Sequence, residues 1–171
     1  PPNPEHFYLN NQCVKRSGVR QVFTTAEADE YLRCMDNPAY FVKNYVKIIS
    51  LDKGLIPFEL YPYQEKMFEH FEKNRFSIVL APRQSGKSIS CVGYILWYSL
   101  FKPDKTIAIL ANKGATAREM LSRITLALEN IPFFLQPGCK ALNKGSIEFD
   151  GNTKIFAAAT TGSSIRGRSC S

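Results

Sequence analysis

Residues 75–101 constrain this chain more than any other stretch. RFSIVLA is a short apolar run containing Ile78 and Val79, PRQSG is a turn, and KSISCVGYILWYSLF is apolar nearly all round until Lys102-Pro103 stops it. A short apolar run bounded by proline predicts a buried strand. An apolar helix without a polar stripe predicts burial on every side. The turn ends in Ser85-Gly86-Lys87-Ser88, the tail of the phosphate-binding pattern G-x-x-x-x-G-K-[ST], but Ala81 stands where that pattern begins with glycine.

The end of such a loop carries its stricter requirements. Backbone N–H groups and the positive N-terminus of the next helix cradle phosphate oxygens. Gly86 lets the backbone come close. Lys87 would reach the β- and γ-phosphates of ATP, and the Ser88 hydroxyl would ligate a Mg²⁺ bridging them. The first position is less demanding, because a small residue such as Ala81 can also leave the strand, and Pro82 stiffens the exit by fixing φ. Arg83 adds a fixed positive charge where charge moves during phosphoryl transfer. The competing readings are an ordinary αβ turn with a surface lysine, and a surface salt bridge for Arg83. The first leaves the grouping of Arg83, Gln84 and Lys87 in one turn unexplained.

Upstream, residues 1–23 read as irregular. TTAEADEYLRCMD predicts a helix capped by Thr24 or Thr25, and NPAYFVKNYV a second with Pro38 at its first position after Asn37. IISLDKGLIPFEL reads as a hairpin or extended segment around Asp52-Lys53-Gly54. YPYQEKMFEHFEKN predicts a helix with Tyr63, Met67, Phe68 and Phe71 on one apolar face. Within it, Gln64 is an amide that can donate and accept at once, matching an adenine edge, with Tyr61 or Tyr63 to pack on the base. A glutamine on a helix is more commonly only solvated.

Downstream, KTIAILA predicts a second buried strand and residues 116–130 a helix presenting Ala117, Met120, Leu121, Ile124 and Leu128. SIEFD and TKIFAAA flank the hairpin signal Asp150-Gly151-Asn152. The tail TTGSSIRGRSCS reads as a loop. Alternating strands and helices predict an α/β fold with a parallel sheet flanked by helices. The expected organisation is a mostly helical or irregular segment over 1–58 and an α/β domain carrying the P-loop over 59–171, which the resemblance given below implies to be part of an ATPase domain.

Five scattered cysteines without a C-x-x-C pair, and two distant histidines, argue against a disulfide scaffold or a zinc site. The longest apolar run, Cys91–Phe101, is far short of the roughly 20 residues of a membrane span. The net charge of +7 suits a nucleic-acid partner as well as it suits a solvated basic surface. Lys113, Arg118 and Arg123 are candidate DNA contacts, each also readable as a solvated charge.

With YPYQEKMFEHF, APRQSGKS, AILANKG, FLQPG, NKGSIEFD and SSIRGRS in this order, the chain resembles the large terminase subunit of T4-like tailed bacteriophages. The resemblance runs from about Leu60 to the end, and more loosely upstream. It implies part of an additional-strand, RecA- or helicase-like P-loop NTPase, joined in the family to a nuclease domain. That ATPase drives double-stranded DNA into an empty procapsid. By resemblance Gln64 is the adenine-recognising glutamine and Arg83, Gln84, Ser85, Gly86, Lys87 and Ser88 form the Walker A loop. Arg83 senses or stabilises the γ-phosphate, and Arg166 is a finger reaching a neighbouring subunit's ATP. The expected catalytic groups are therefore Lys87, Arg83 and Arg166, with ATP and Mg²⁺ as ligands. The implied partners are DNA, the portal protein, the small terminase subunit and further copies in a ring. The implied place is the host cytoplasm and, transiently, the procapsid portal, with no membrane.

The family's Walker B strand, ending in Asp-Glu, is expected after Arg166, beyond Ser171. A fragment of this span is expected to bind nucleotide but hydrolyse it poorly. Glu148 and Asp150 are poor substitutes for that pair. The rival readings are a superfamily 2 helicase-like translocase, a small-molecule kinase, and a nucleotide-binding module without turnover.

Overall fold

The computed structural model describes residues 4–50 and 52–160. A 3₁₀ turn at Pro4–His6 leads into β1 (Phe7–Tyr8) and β2 (Asn11–Lys15). Then come α1 (Thr25–Asp36), α2 (Pro38–Tyr45), β3 (Lys47–Ser50), β4 (Gly54–Pro57) and α3 (Pro62–Lys73). They are followed by α4 (Lys87–Phe101), β5 (Thr106–Ala111), α5 (Gly114–Glu129), β6 (Cys139–Leu142), β7 (Ser146–Phe149) and β8 (Lys154–Ala159). The main sheet has the order β5-β8-β7-β6. β5 and β8 are parallel, while β8–β7 and β7–β6 are antiparallel.

Local chemistry sets the starts of α1 and α2. Thr24 Oγ1 accepts from Glu27 N at 3.3 Å, and Glu27 Oε2 accepts from Thr24 N at 2.9 Å, so two otherwise unpaired donors of α1 are satisfied. Asn37 Oδ1 accepts from Tyr40 N at 2.9 Å, and Pro38 opens α2. β3 and β4 form the hairpin expected around residues 52–54, and β7 and β8 the one expected around Asp150-Gly151-Asn152. In the second, Gly151 (φ 74°) and Asn152 (φ 60°) take the left-handed conformation the turn needs.

α4 packs within the helical layer, though not on every side as its sequence predicts: Cys91, Tyr94, Ile95 and Tyr98 are half-buried and line an open cavity. Val92, Leu96, Trp97, Leu100 and Phe101 are buried, and the helix packs against α2 and α5. A methyl group on Gly93 would lie 3.1 Å from Val42 Cγ2, so α2 and α4 approach closely there. Trp97 is fully buried, and its indole N–H donates to Cys34 O at 2.8 Å. That bond leaves the ring's hydrophobic gain, about 1.5–3 kcal/mol for a large side chain, without an unpaired donor. Burial pushes the Cys34 thiol up to about 12 and, with help from Asp150, the Cys139 thiol to about 12.

The first residues are tied to the far side of the sheet. Gln136, in the FLQPG segment, is 3% exposed. Its amide nitrogen donates to Cys13 O, Leu128 O and Ile131 O, and its oxygen accepts from Lys15 N. The buried Lys15 ammonium donates to Phe133 O, Gln136 O and Gln21 Oε1. Burial lowers the pKa of Lys15, partly offset by the charge of Asp150. Asp150 accepts from Ser17 Oγ at 2.6 Å and Gly18 N at 3.1 Å. Gly138 sits in the middle: a methyl group there would lie 2.1 Å from Asp150 Oδ2 and 2.8 Å from Arg16 O.

Three expectations need correction. Residues 4–15 contain a hairpin, held by the partners just named, where the sequence reads as irregular. The sheet is mixed rather than parallel, because the Asp150–Asn152 turn returns β8 antiparallel to β7; among the described strands only β5 and β8 are parallel. RFSIVLA is not a strand and is not buried: Phe76 is 82%, Ile78 97% and Leu80 100% exposed. A strand exists only through a neighbour's ladder. Among the described strands none pairs with this run, and an open cavity of about 770 Å³, lined by Arg75, Ser77, Tyr94 and Ile107, separates it from β5. Ser77 Oγ is buried beside it without a partner among the described residues.

Candidate nucleotide site

The chain turns at residues 82–86 and enters α4 at Lys87. Two left-handed residues make the turn: Gln84 (φ 62°) and Gly86 (φ 77°), the latter at the N-cap of α4. The glycine suits this position because other side chains rarely adopt positive φ. A Cβ there would also lie 2.8 Å from Gln64 Nε2. Among the described residues, no side chain caps the N-terminus of α4. The first-turn N–H groups of a helix need acceptors from outside it, so an uncapped end at a close-turning glycine fits a phosphate.

Lys87 turns back over the loop. Its ammonium donates to Pro82 O at 2.9 Å and Ala81 O at 3.5 Å. Ser85 Oγ donates to Pro82 O at 2.9 Å. The loop thus closes on its own carbonyls, with the lysine charge held at its centre. Ser88 is exposed in the first turn of α4. Arg83 and Gln84 are exposed on the turn.

α3 meets this loop with its first turn. Tyr63 Oη donates to Ser85 O. Gln64 Oε1 accepts from Tyr61 N at 2.8 Å, and Gln64 Nε2 donates to Gly86 O at 3.5 Å. Gln64 is 1% exposed, so the amide expected to read adenine is engaged at both ends inside the protein. Tyr61 and Tyr63 stand outside it as an exposed stacked pair, centroids 5.9 Å apart. Ser90, one turn into α4, donates its hydroxyl to the same Gly86 O at 2.9 Å. Sequence reading did not single out Ser90; a serine four residues after the loop glycine was the available signal.

The structure therefore brings Gln64, Ser85, Gly86 and Lys87 together. Arg166 lies outside the described residues. Lys113 and Arg118 are exposed at the start of α5, and Arg123 pairs with Glu119 at 2.6 Å. Among the described residues, no group of three or more His, Cys, Asp or Glu could hold a metal, and no helix is long and apolar enough to cross a membrane.

A buried helix opened by glycine and lysine on a mixed sheet places the chain among α/β proteins. Its lineage follows from comparison with known families. Residues 78–171, more than half of the chain, match the family described as terminase large subunit, T4likevirus-type, N-terminal, and the chain belongs to that family.

Proposed function

We propose that this chain forms the nucleotide-binding part of an ATP-driven motor that moves double-stranded DNA into a viral procapsid. The observation that carries this reading is the Gly86-Lys87-Ser88 turn at the uncapped N-terminus of a buried helix, in a chain of the terminase family. In this reading the domain is a P-loop NTPase. The family match favours it over a superfamily 2 helicase-like translocase.

The backbone N–H groups of residues 85–88 hold the β- and γ-phosphates, and Lys87 exchanges the Ala81 and Pro82 carbonyls for phosphate oxygens. The exchange is favourable because a charge-assisted bond is roughly twice as strong as a neutral one. Ser88 contributes its hydroxyl to Mg²⁺, which neutralises phosphate charge when bound with the nucleotide. Arg83, exposed beside the loop, offsets negative charge as the γ-phosphoryl group leaves. Arg166 acts on the ATP of a neighbouring subunit in a homo-oligomeric ring. DNA, the portal protein and the small terminase subunit are the partners of this reading, and the host cytoplasm and procapsid portal its location.

Lys87→Ala in the full-length chain tests the reading. Losing a charge-assisted contact worth about 1.5–3 kcal/mol should weaken ATP binding roughly tenfold to a hundredfold and stop ATP-dependent DNA packaging. ATP affinity and packaging at wild-type level in this variant would end it.

A further inference from the structure

Residues 6–26 and 130–147 contain no Asp or Glu, and they carry Lys15, Arg16, Arg20, Lys140 and Lys144. The fold brings these two acid-free stretches together. Arg16 pairs with Cys139 in a parallel bridge, and Ser17 N donates to Cys139 O at 3.0 Å. Arg16 and Lys140 line one open cavity of about 410 Å³, and Arg16, Arg20 and His6 line a second of about 450 Å³. The two cavities share Arg16 and Ser17. Arg16, Arg20, Lys140 and Lys144 are exposed, whereas the Lys15 ammonium is turned inward to Phe133 O and Gln136 O. The carboxylates that follow in the chain are engaged elsewhere. Glu129 accepts from Asn11 Nδ2 at 2.8 Å, Glu148 pairs with Lys154, and Asp150 holds Ser17 and Gly18. Among the described residues, Glu5 is the one carboxylate lining either cavity. Cations on the helices differ: Arg33 pairs with Glu30, Lys43 with Glu65, Lys73 with Glu69 and Arg123 with Glu119. A surface of one sign of charge raises the local concentration of a polyanion.

Resting on the DNA-motor reading above, we propose that this flank, centred on Arg16, Arg20 and Lys140, is a contact surface for the phosphate backbone of duplex DNA. Arginine suits the task because its planar fork matches phosphate oxygens in pairs. The nearby rings are occupied inside the protein, so the surface does not stack bases or prefer single strands. Phe7 is buried and stacks on Phe133 at 5.5 Å between centroids, and Tyr8 Oη accepts from Leu142 N at 3.0 Å. Contacts of this kind hold the duplex without reading its sequence. A protein partner would need an apolar or aromatic anchor. Among the described residues, Leu9 is the one exposed large apolar side chain lining either cavity. The backbone that presents the arginines is already fixed. Arg16 N donates to His6 O at 2.8 Å, and Asp150 accepts from Ser17 Oγ at 2.6 Å and Gly18 N at 3.1 Å. Binding therefore orders side chains but little main chain.

Duplex DNA of random sequence would be titrated onto the full-length chain at several salt concentrations, with ATP affinity and melting temperature measured alongside. Each phosphate contact contributes about 0.9 to the slope of log K against log salt. Arg16→Ala/Arg20→Ala/Lys140→Ala should lower that slope by about 2–3 and weaken binding roughly tenfold to a hundredfold at about 0.1 M salt. ATP affinity and melting temperature should not change. Arg16→Lys/Arg20→Lys keeps the charges and should keep the slope. Arg33→Ala/Lys66→Ala/Lys73→Ala removes as much charge from the helices and should leave the slope as it is. If the flank variant does not fold, Lys140→Ala decides alone, with a slope lower by about 0.9. An unchanged slope overturns the proposal, and so does an equal loss in the helix variant, which would make net charge the cause. Unchanged DNA binding with lost binding to polyglutamate would assign the surface to an acidic protein and overturn it too. An unmodified chain that binds ATP but no DNA overturns the DNA-motor reading itself, and this proposal with it.

Discussion

The two flanks of this molecule solve the backbone problem in opposite ways. Around β6, distant side chains hold the backbone: Gln136 reaches three carbonyls, the Lys15 ammonium closes two more, and Asp150 holds the turn at Ser17 and Gly18. Before the Gly86–Lys87 turn, an apolar segment stands in the open, with Ile78 97% and Leu80 100% exposed. Apolar composition is the same in kind on both sides. What differs is whether another element lies within hydrogen-bonding reach. The dense contacts lie around β6, while the loop before α4 is met by a few contacts from α3 and Ser90.

The comparison is broken most directly at Gly138. Gly138→Ala drives a methyl group into Asp150 and into the backbone of residues 16 and 17, contacts that cannot yield cheaply. We expect a loss of about 3 kcal/mol or more in urea unfolding, with released protection of residues 4–18 in hydrogen exchange. A loss below about 1 kcal/mol would show that the flank is not tightly locked. Gln136→Ala comes next. It strands buried carbonyls and the Lys15 N–H, at a cost of roughly 2–3 kcal/mol, again read by urea unfolding. The smallest effect is expected on the other flank. Ile78→Ser with Leu80→Ser should change stability by less than about 0.5 kcal/mol in this chain, because no packing is lost. A loss like that of Gln136→Ala would mean that the run is covered, and the contrast between the flanks would disappear.

Helices and turns were legible in the sequence to a degree that strands were not. Thr24, Asn37 and Pro38 announce α1 and α2 because a cap acts within three residues of itself. The turns at 52–54 and 150–152 carry their own left-handed residues, Gly54, Gly151 and Asn152. The loop end at Gly86-Lys87 was legible for the same reason. RFSIVLA misled because its strand signal names no neighbour. β6 went unread for the converse reason: CKAL has little strand character of its own, and β7 supplies its ladder.

Two glutamines show the same division inside the site and the core. Gln64 was found by its position before the loop, but nothing local shows whether its amide faces a base or the loop's backbone. In this structure its amide nitrogen lies 3.5 Å from Gly86 O, twenty-two residues away. Gln136 was visible only as part of FLQPG; its partners Cys13 and Lys15 lie 123 and 121 residues away. The sequence alone determined the caps, the turns, the apolar faces of α4 and α5, and the glycine–lysine start of α4. Each depends on residues within about one helical turn of one another. Tertiary structure decided the mixed sheet, the exposure of residues 76–80, and the partners of Gln64, Gln136 and Lys15. Helices close their hydrogen bonds within themselves; strands and buried amides must find partners at distances along the chain that no local pattern encodes.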